Sequence, residues 1–276
     1  MRKQTISVSL VLAIVSVLVL AACQPGAAPP EDEEVPADAA EEETEETEEL
    51  SFEGDIVLHA PVSKDIRLDP ATVDPTDEDS LLVSGYIYEG LFAFDTEAEG
   101  QLAEALGTGV TVSDDGLDYI IDLRRDVVFH DGTPLDADAV IANFNRWFDP
   151  EDSAHGSGTY AEWELIFEGF KGETNDDGTP KSTFDGIEKV DNYTVLLHLS
   201  RVDPGVVGYI SIFLPAFGMA SPALLTEGDS YGTSAESTAG TGPYKVGEWS
   251  DEKLVLVPNP DYWGDVPTAA LEFPLE

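Results

Sequence analysis

Residues 117–148 read LDYIIDLRRDVVFHDGTPLDADAVIANFNRWF. In residues 117–124 Tyr119, Ile121 and Leu123 fall on one face, while Asp118, Asp122 and Arg124 tend to the other. That alternation is the period of a strand covered on one side. Val127-Val128-Phe129 is a second short apolar run. His130-Asp131-Gly132 then turns the chain, because Asp bonds its own backbone and Gly tolerates a positive φ. Asp136 is a good N-cap, and beyond it Val140, Phe144 and Trp147/Phe148 recur at helical spacing. The expectation is strand, strand, tight turn, capped helix.

Upstream, residues 55–60 read as a short strand that Leu68-Asp69-Pro70 breaks. A loop of Asp, Thr and Pro follows, then a helix expected over 80–92 with Asp79 as its cap. Downstream, Tyr160, Trp163, Phe167 and Phe170 mark a short helix over 160–170. Residues 173–185 imitate a calcium loop, but Phe184 stands where the bidentate Glu is needed, so a tight turn is the better reading. A strand over 193–199, a helix over 204–213 and another starting at Ser221 come next. Gly240-Thr-Gly-Pro-Tyr-Lys-Val leads to a strand over 253–257 and to Asn259-Pro-Asp-Tyr-Trp-Gly. The GTGPYK segment lacks the Gly-Lys-Ser/Thr ending of a phosphate loop.

The chain has 276 residues, 13 basic and 56 acidic, for a net charge of −43. Twelve of the acids lie in residues 31–50, so residues 51–276 still carry 11 basic against 44 acidic groups, a net of −33. Phosphate binding needs clustered Lys and Arg, which excludes a nucleic-acid partner. The acidic surface keeps the protein soluble and away from anionic surfaces. Four histidines, His59, His130, His155 and His198, show no metal-ligand spacing. No Gly-x-Ser-x-Gly elbow occurs. Neither catalytic residues, nor a metal, nor a cofactor is expected.

At the N-terminus, Arg2 and Lys3 precede an apolar run over 6–22 that ends in Leu20-Ala21-Ala22-Cys23. Charged start, apolar middle and small end make an export signal over 1–22. Cys23 is the only cysteine, so no internal disulfide can form. Residues 23–53 are rich in Pro, Ala, Glu and Thr and cannot bury enough apolar surface to offset ordering entropy, so an extended acidic tether is expected. Leu-Ala-Ala-Cys resembles the lipobox of bacterial lipoproteins, which implies lipid attachment at Cys23 and a place on the outer face of the membrane.

The pattern LR-x-x-V-x-FHDGTP-L-x-A-x-x-V resembles the signature of the extracellular solute-binding proteins of family 5. LDPA at 68–71, YEGLF at 88–92, GTGPY at 240–244 and NPDYWG at 259–264 resemble further blocks of that family, in order. The resemblance covers residues 55–267. It implies an α/β, periplasmic-binding-protein-like fold of class II. Lobe I would be discontinuous (54–94 and 215–276) around an inserted smaller domain (95–214). Family members are much longer than this chain, so the second lobe and the strand returning to lobe I are expected outside it. The implied function is the substrate-binding component of an ABC importer. It would capture oligopeptides or dipeptides, with nickel complexes and sugars as known variants, and deliver them to permease subunits; the alternative is a truncated or split lipid-anchored surface protein with no transport role of its own. By position, the family's ligand loop falls on Val73, Asp74, Pro75 and Thr76. Its wall falls on Tyr160 and Trp163, with Phe217 near the cleft.

Overall fold

The computed structural model describes residues 52, 54–95, 101–211, 215–226 and 229–276. The expected signal segment, Cys23 and most of the tether lie outside the described residues. The described chain runs β1 (Asp55–Leu58), α1 (Glu78–Ile87), β2 (Phe92–Asp95), β3 (Gln101–Glu104), β4 (Gly107–Val112), β5 (Asp118–Leu123), α2 (Ala137–Phe148), α3 (Ala161–Phe167), β6 (Phe184–Asp191), β7 (Thr194–Leu199), α4 (Val206–Tyr209), β8 (Tyr244–Trp249), β9 (Lys253–Pro258) and β10 (Ala269–Pro274).

The alternation in β5 does what its period requires. Tyr119, Ile121 and Leu123 are buried, and Ile120 faces outward. β5 sits inside the antiparallel sheet β4-β5-β7-β6, with Tyr119 opposite Leu197 and Ile121 opposite Val195. Against this sheet α2 lays Val140, Phe144, Trp147 and Phe148. Asp136 caps α2, its carboxylate accepting from the Ala139 N–H at 3.0 Å. Phe167, Phe184 and Phe217 complete the same core.

A second sheet, β1-β10-β9-β8, draws strands from both ends of the described chain. β1 runs parallel to β10, from Asp55 opposite Ala269 to Leu58 opposite Glu272. β9 is apolar almost throughout because both its faces are covered. Leu254 and Leu256 pack with Val83 and Ile87 of α1, and Val255 and Val257 pack with Ala270 and Phe52 on the other side. β2 and β3 form a separate antiparallel pair. All described residues fall in one compact unit, Thr47–Glu276.

Several elements differ from the expectations, each for a local reason. α1 begins and ends earlier than 80–92. Asp77, not Asp79, is its cap: Asp77 accepts from the Ser80 N–H at 3.1 Å, whereas Asp79 accepts from the Ser63 N–H at 2.8 Å. The helix stops because the Gly242 N–H takes the Ile87 carbonyl at 2.8 Å and Tyr88 is extended. A Cβ on Gly240 would stand 2.1 Å from that same carbonyl oxygen, so only glycine lets the GTGPY segment close on the helix end. The apolar run at Val127 forms only an isolated bridge, Val128 to Pro134, because the Phe129 backbone is used in the turn. α3 is confined to 161–167 and α4 to 206–209, shorter than expected. The expected end of the latter at Phe213 lies outside the described residues. Residues 222–226 are turns rather than a helix. The Asn-Asp-Asp-Gly segment is a tight turn, with Gly178 at φ 83° and its N–H on the Asn175 carbonyl.

Candidate functional site

Leu68-Asp69-Pro70 carries the loop after β1 past the C-terminal half of α2. There Asp69 meets Arg146, and both are buried. The guanidinium forks onto the carboxylate: Nη1 donates to Oδ1 at 2.9 Å and Nη2 donates to Oδ2. Its Nε donates to the Ala154 carbonyl at 2.9 Å. Burial opposes the Arg146 charge, but the Asp69 charge and hydrogen bonds outweigh it and hold the guanidinium firmly protonated. The His155 Nδ1–H donates to the Arg146 carbonyl at 2.6 Å, and the Tyr160 hydroxyl donates to the His155 carbonyl at 2.7 Å. From the other side, Tyr88 donates to the Leu68 carbonyl at 2.6 Å and Tyr231 donates to the Ala239 carbonyl at 2.8 Å. Gly232, at φ 70°, fits against this loop because a Cβ would lie 2.3 Å from the Asp69 nitrogen.

Above the ion pair opens a cavity of about 420 Å³, lined by Arg67, Asp69, Thr72, Ser157, Gly158, Asp229, Tyr231 and Thr233. Its hydroxyl hydrogens are already directed. Thr72 donates to Asp69 Oδ2 at 2.8 Å, Ser157 to Asp229 Oδ2 at 3.1 Å, and Thr233 to the Ser230 carbonyl at 2.7 Å. Each hydroxyl therefore offers the cavity only lone pairs. The wall accepts hydrogen bonds, and its one cationic donor is Arg67.

A second polar cluster joins the signature segments. Glu89 Oε2 accepts from the Thr241 hydroxyl at 2.9 Å and the Trp263 indole N–H at 3.0 Å, and Oε1 accepts from the Tyr262 hydroxyl at 3.0 Å. Burial pushes the Glu89 carboxyl up, against the pull of these three donors and of Arg124. The Arg124 guanidinium lies 4.0 Å over the Trp263 ring. His130 Nε2–H donates to the Gly242 carbonyl at 3.0 Å, and its Nδ1 accepts from the Gly240 N–H at 3.3 Å. YEGLF, FHDG, GTGPY and NPDYWG thus meet in a joint whose polar groups bond to each other.

The expected ligand loop begins directly after Thr72. Val73 is buried, while Asp74, Pro75 and Thr76 are exposed. Asp74 Oδ1 accepts from the Thr76 N–H at 2.8 Å and from its hydroxyl at 2.7 Å, and these bonds hold the Asp74 carboxyl below its ordinary range. The residues of the expected wall are buried. Tyr160, Trp163 and Phe217 are each at most 2% exposed. Trp163 stacks among Trp147, Phe148, Phe167 and Phe184 with its N–H on the Gly169 carbonyl, and Phe217 packs edge-on to Trp147. These rings are core, because two aromatic helices stack there. Sequence reading missed Asp69, Arg146, Arg67 and Asp229. A signal existed for one of them: Arg146 falls on the buried face of α2, where a charge needs a buried partner.

Among the described residues, no group of three His, Cys, Asp or Glu could hold a metal ion. Among them, too, no helix is long and apolar enough to cross a membrane.

The fold is of the periplasmic-binding-protein type, and comparison with known proteins narrows the class. The model of the bacterial extracellular solute-binding proteins, family 5 (middle), matches residues 97–272, and the chain belongs to that family. The glutathione-binding protein GsiB of Escherichia coli O1:K1 is 31% identical over 197 residues, covering 70% of this chain and 33% of its own length. The ABC transporter-associated periplasmic binding protein DppA of Helicobacter pylori, solved with the peptide STSA, superposes with a TM-score of 0.64 at 26% identity. That match covers 81% of this chain and 43% of DppA. NikZ of Campylobacter jejuni, solved with Ni(L-His), shares the fold with a TM-score of 0.61 at 24% identity, over 82% of this chain and 40% of its own. The chain spans about a third of the curated relatives it matches.

His130 and Glu89 give the joint opposing pH dependences, and substitution of His130 isolates its own. Burial lowers His130 from its ordinary 6.5 to about 4. Protonating Nδ1 would set an N–H against the Gly240 N–H. A depressed histidine contributes stability that is fully present above pH 6.5 and is lost as pH falls toward 4, by on the order of 3 kcal/mol. Urea unfolding between pH 7 and 4.5 should show a steeper loss for the wild type than for His130→Gln. Parallel profiles would refute this role.

Proposed function

We propose that this chain is the solute-capturing part of an ABC importer. Its cargo is peptide-like, and it works outside the membrane from a lipid anchor on Cys23, handing the solute to permease subunits. The observation that carries the reading is the acceptor-lined cavity above the Asp69–Arg146 pair, in a chain that belongs to the family 5 solute-binding proteins. Lone pairs on Thr72, Ser157 and Thr233, with the Asp229 carboxylate, suit a ligand rich in N–H donors, as a peptide is. The relatives support the same cargo: GsiB binds glutathione, itself a tripeptide, and DppA was solved with a tetrapeptide. Asp74, Pro75 and Thr76 follow directly on Thr72 of the cavity wall, and in this reading they are the exposed groups that meet a ligand beside it. The sheet β1-β10-β9-β8, built from both chain ends, supports the division into 54–94 plus 215–276 around 95–214. Leu20-Ala21-Ala22-Cys23 supports the anchor.

Protein extracted from its own membrane tests both parts. Its intact mass should begin at Cys23 and include acyl chains, and saturation-transfer NMR should show contact with glutathione and with di- to tetrapeptides at millimolar concentration. No response to any peptide would contradict the cargo, and an unacylated N-terminus would contradict the anchor.

A further inference from the structure

Residues 51–276 hold eleven Lys and Arg against 44 acids, so a cation without a carboxylate partner is conspicuous. Six of the eleven are in ion pairs with carboxylates. Arg124 and Arg125 lie over the rings of Trp263 and Tyr193. Among the described residues that leaves Lys64, Arg67 and Lys245, and each of the three lines a cavity. Arg67 belongs to the solute cavity. Lys64 belongs to a neighbouring one of about 430 Å³, and the two cavities share Thr233. Lys64 and Arg67 stand three residues apart in the segment that leads into Asp69, and their two cavities adjoin at Thr233.

The groups around Arg67 explain why it stays unpaired. Asp69 is taken by Arg146, Thr72 and the Ala71 N–H. Asp229 gives Oδ1 to the Ser157 N–H at 2.6 Å and Oδ2 to the Ser157 hydroxyl. Neither carboxylate forms an ion pair with Arg67 within the described structure. The guanidinium is a rigid fork of donors in a wall of acceptors, and it matches a carboxylate bidentately.

We infer that Arg67, with Lys64 beside it, is the carboxylate anchor of the solute cavity, so that the preferred solutes are N–H-bearing organic acids such as peptides with a free C-terminus. The carboxylate sits on Arg67, and the ligand N–H groups meet Asp229 and the hydroxyl oxygens of Thr72, Ser157 and Thr233. This deepens the solute-binding reading and rests on it. The Arg67 side chain makes no hydrogen bond or ion pair within the described structure, so its replacement leaves the fold intact.

The test compares trialanine with trialanine amide on the full chain, by NMR titration, for wild type, Arg67→Ala and Arg67→Lys. The wild type should bind the free acid about tenfold more tightly than the amide or better, the discrimination expected of a charge-assisted pair. Arg67→Ala should weaken the free acid about tenfold more than it weakens the amide, so that the preference is lost, and Arg67→Lys should keep part of it. Lys245→Ala, in a separate cavity, should leave the preference unchanged. If both ligands bind and the wild type does not discriminate, or Arg67→Ala still does, the anchor is wrong while solute binding stands. If neither ligand binds the wild type, solute binding fails and the anchor falls with it.

Discussion

The buried pair of Asp69 and Arg146 is the constraint on which the cavity depends. Removing two charges from water is costly, and their attraction offsets that cost only when the remaining donors and acceptors are also satisfied. Here they are. Arg146 also holds the Ala154 carbonyl, and Asp69 also holds Thr72 and the Ala71 N–H. One side chain of α2 thereby fixes the loop after β1 and the loop that leads to α3, which carries Ser157 and Gly158 into the cavity. The third wall, at Tyr231 to Thr233, closes on the same point through the Gly232 carbonyl, which accepts from the Leu68 N–H at 2.9 Å. Losing one partner of such a pair leaves an uncompensated buried charge and costs about 3–5 kcal/mol.

The segments by which the family is recognised do a different job. Glu89, His130, the two glycines of GTGPY and the Tyr262-Trp263 pair bond to one another. They join the end of α1 to the turn before α2 and to both ends of the β8–β9 hairpin. A joint of this kind tolerates little change, since Gly240 touches the Ile87 carbonyl and His130 must present a lone pair on one nitrogen and a hydrogen on the other. Recognition and specificity are thus separated in the chain. The signature residues hold the frame, and the cavity residues, among them Arg67, Thr72, Ser157 and Asp229, lie outside the signature blocks apart from Asp69.

That separation explains how much was legible beforehand. The strand at Tyr119, the turn at Gly132, the cap at Asp136 and the apolar face of α2 all follow from local period and local hydrogen bonding, and all are present. α1 slipped because two aspartates within three residues could both cap it, and the choice fell on Asp77 once Asp79 was drawn to Ser63. The aromatic residues Tyr160 and Trp163 fall on the wall by family position although such rings are more often core, and the packing of α3 on α2 buries them. Asp69 and Arg146 are 77 residues apart, and Arg67's lack of a partner is a property of the whole folded surface. No window of sequence contains either fact.

The most direct test of the central claim is amide hydrogen exchange of wild type against Arg146→Met, a replacement of similar reach without the charge. If the pair holds the cavity walls, the amides of Leu68, Thr72, Val73 and Gly232 should exchange about tenfold faster or more, while those of β5 and β7 keep their protection. An unchanged pattern, or an equal loss throughout the chain, would contradict the claim that this pair is what holds the cavity open and in shape.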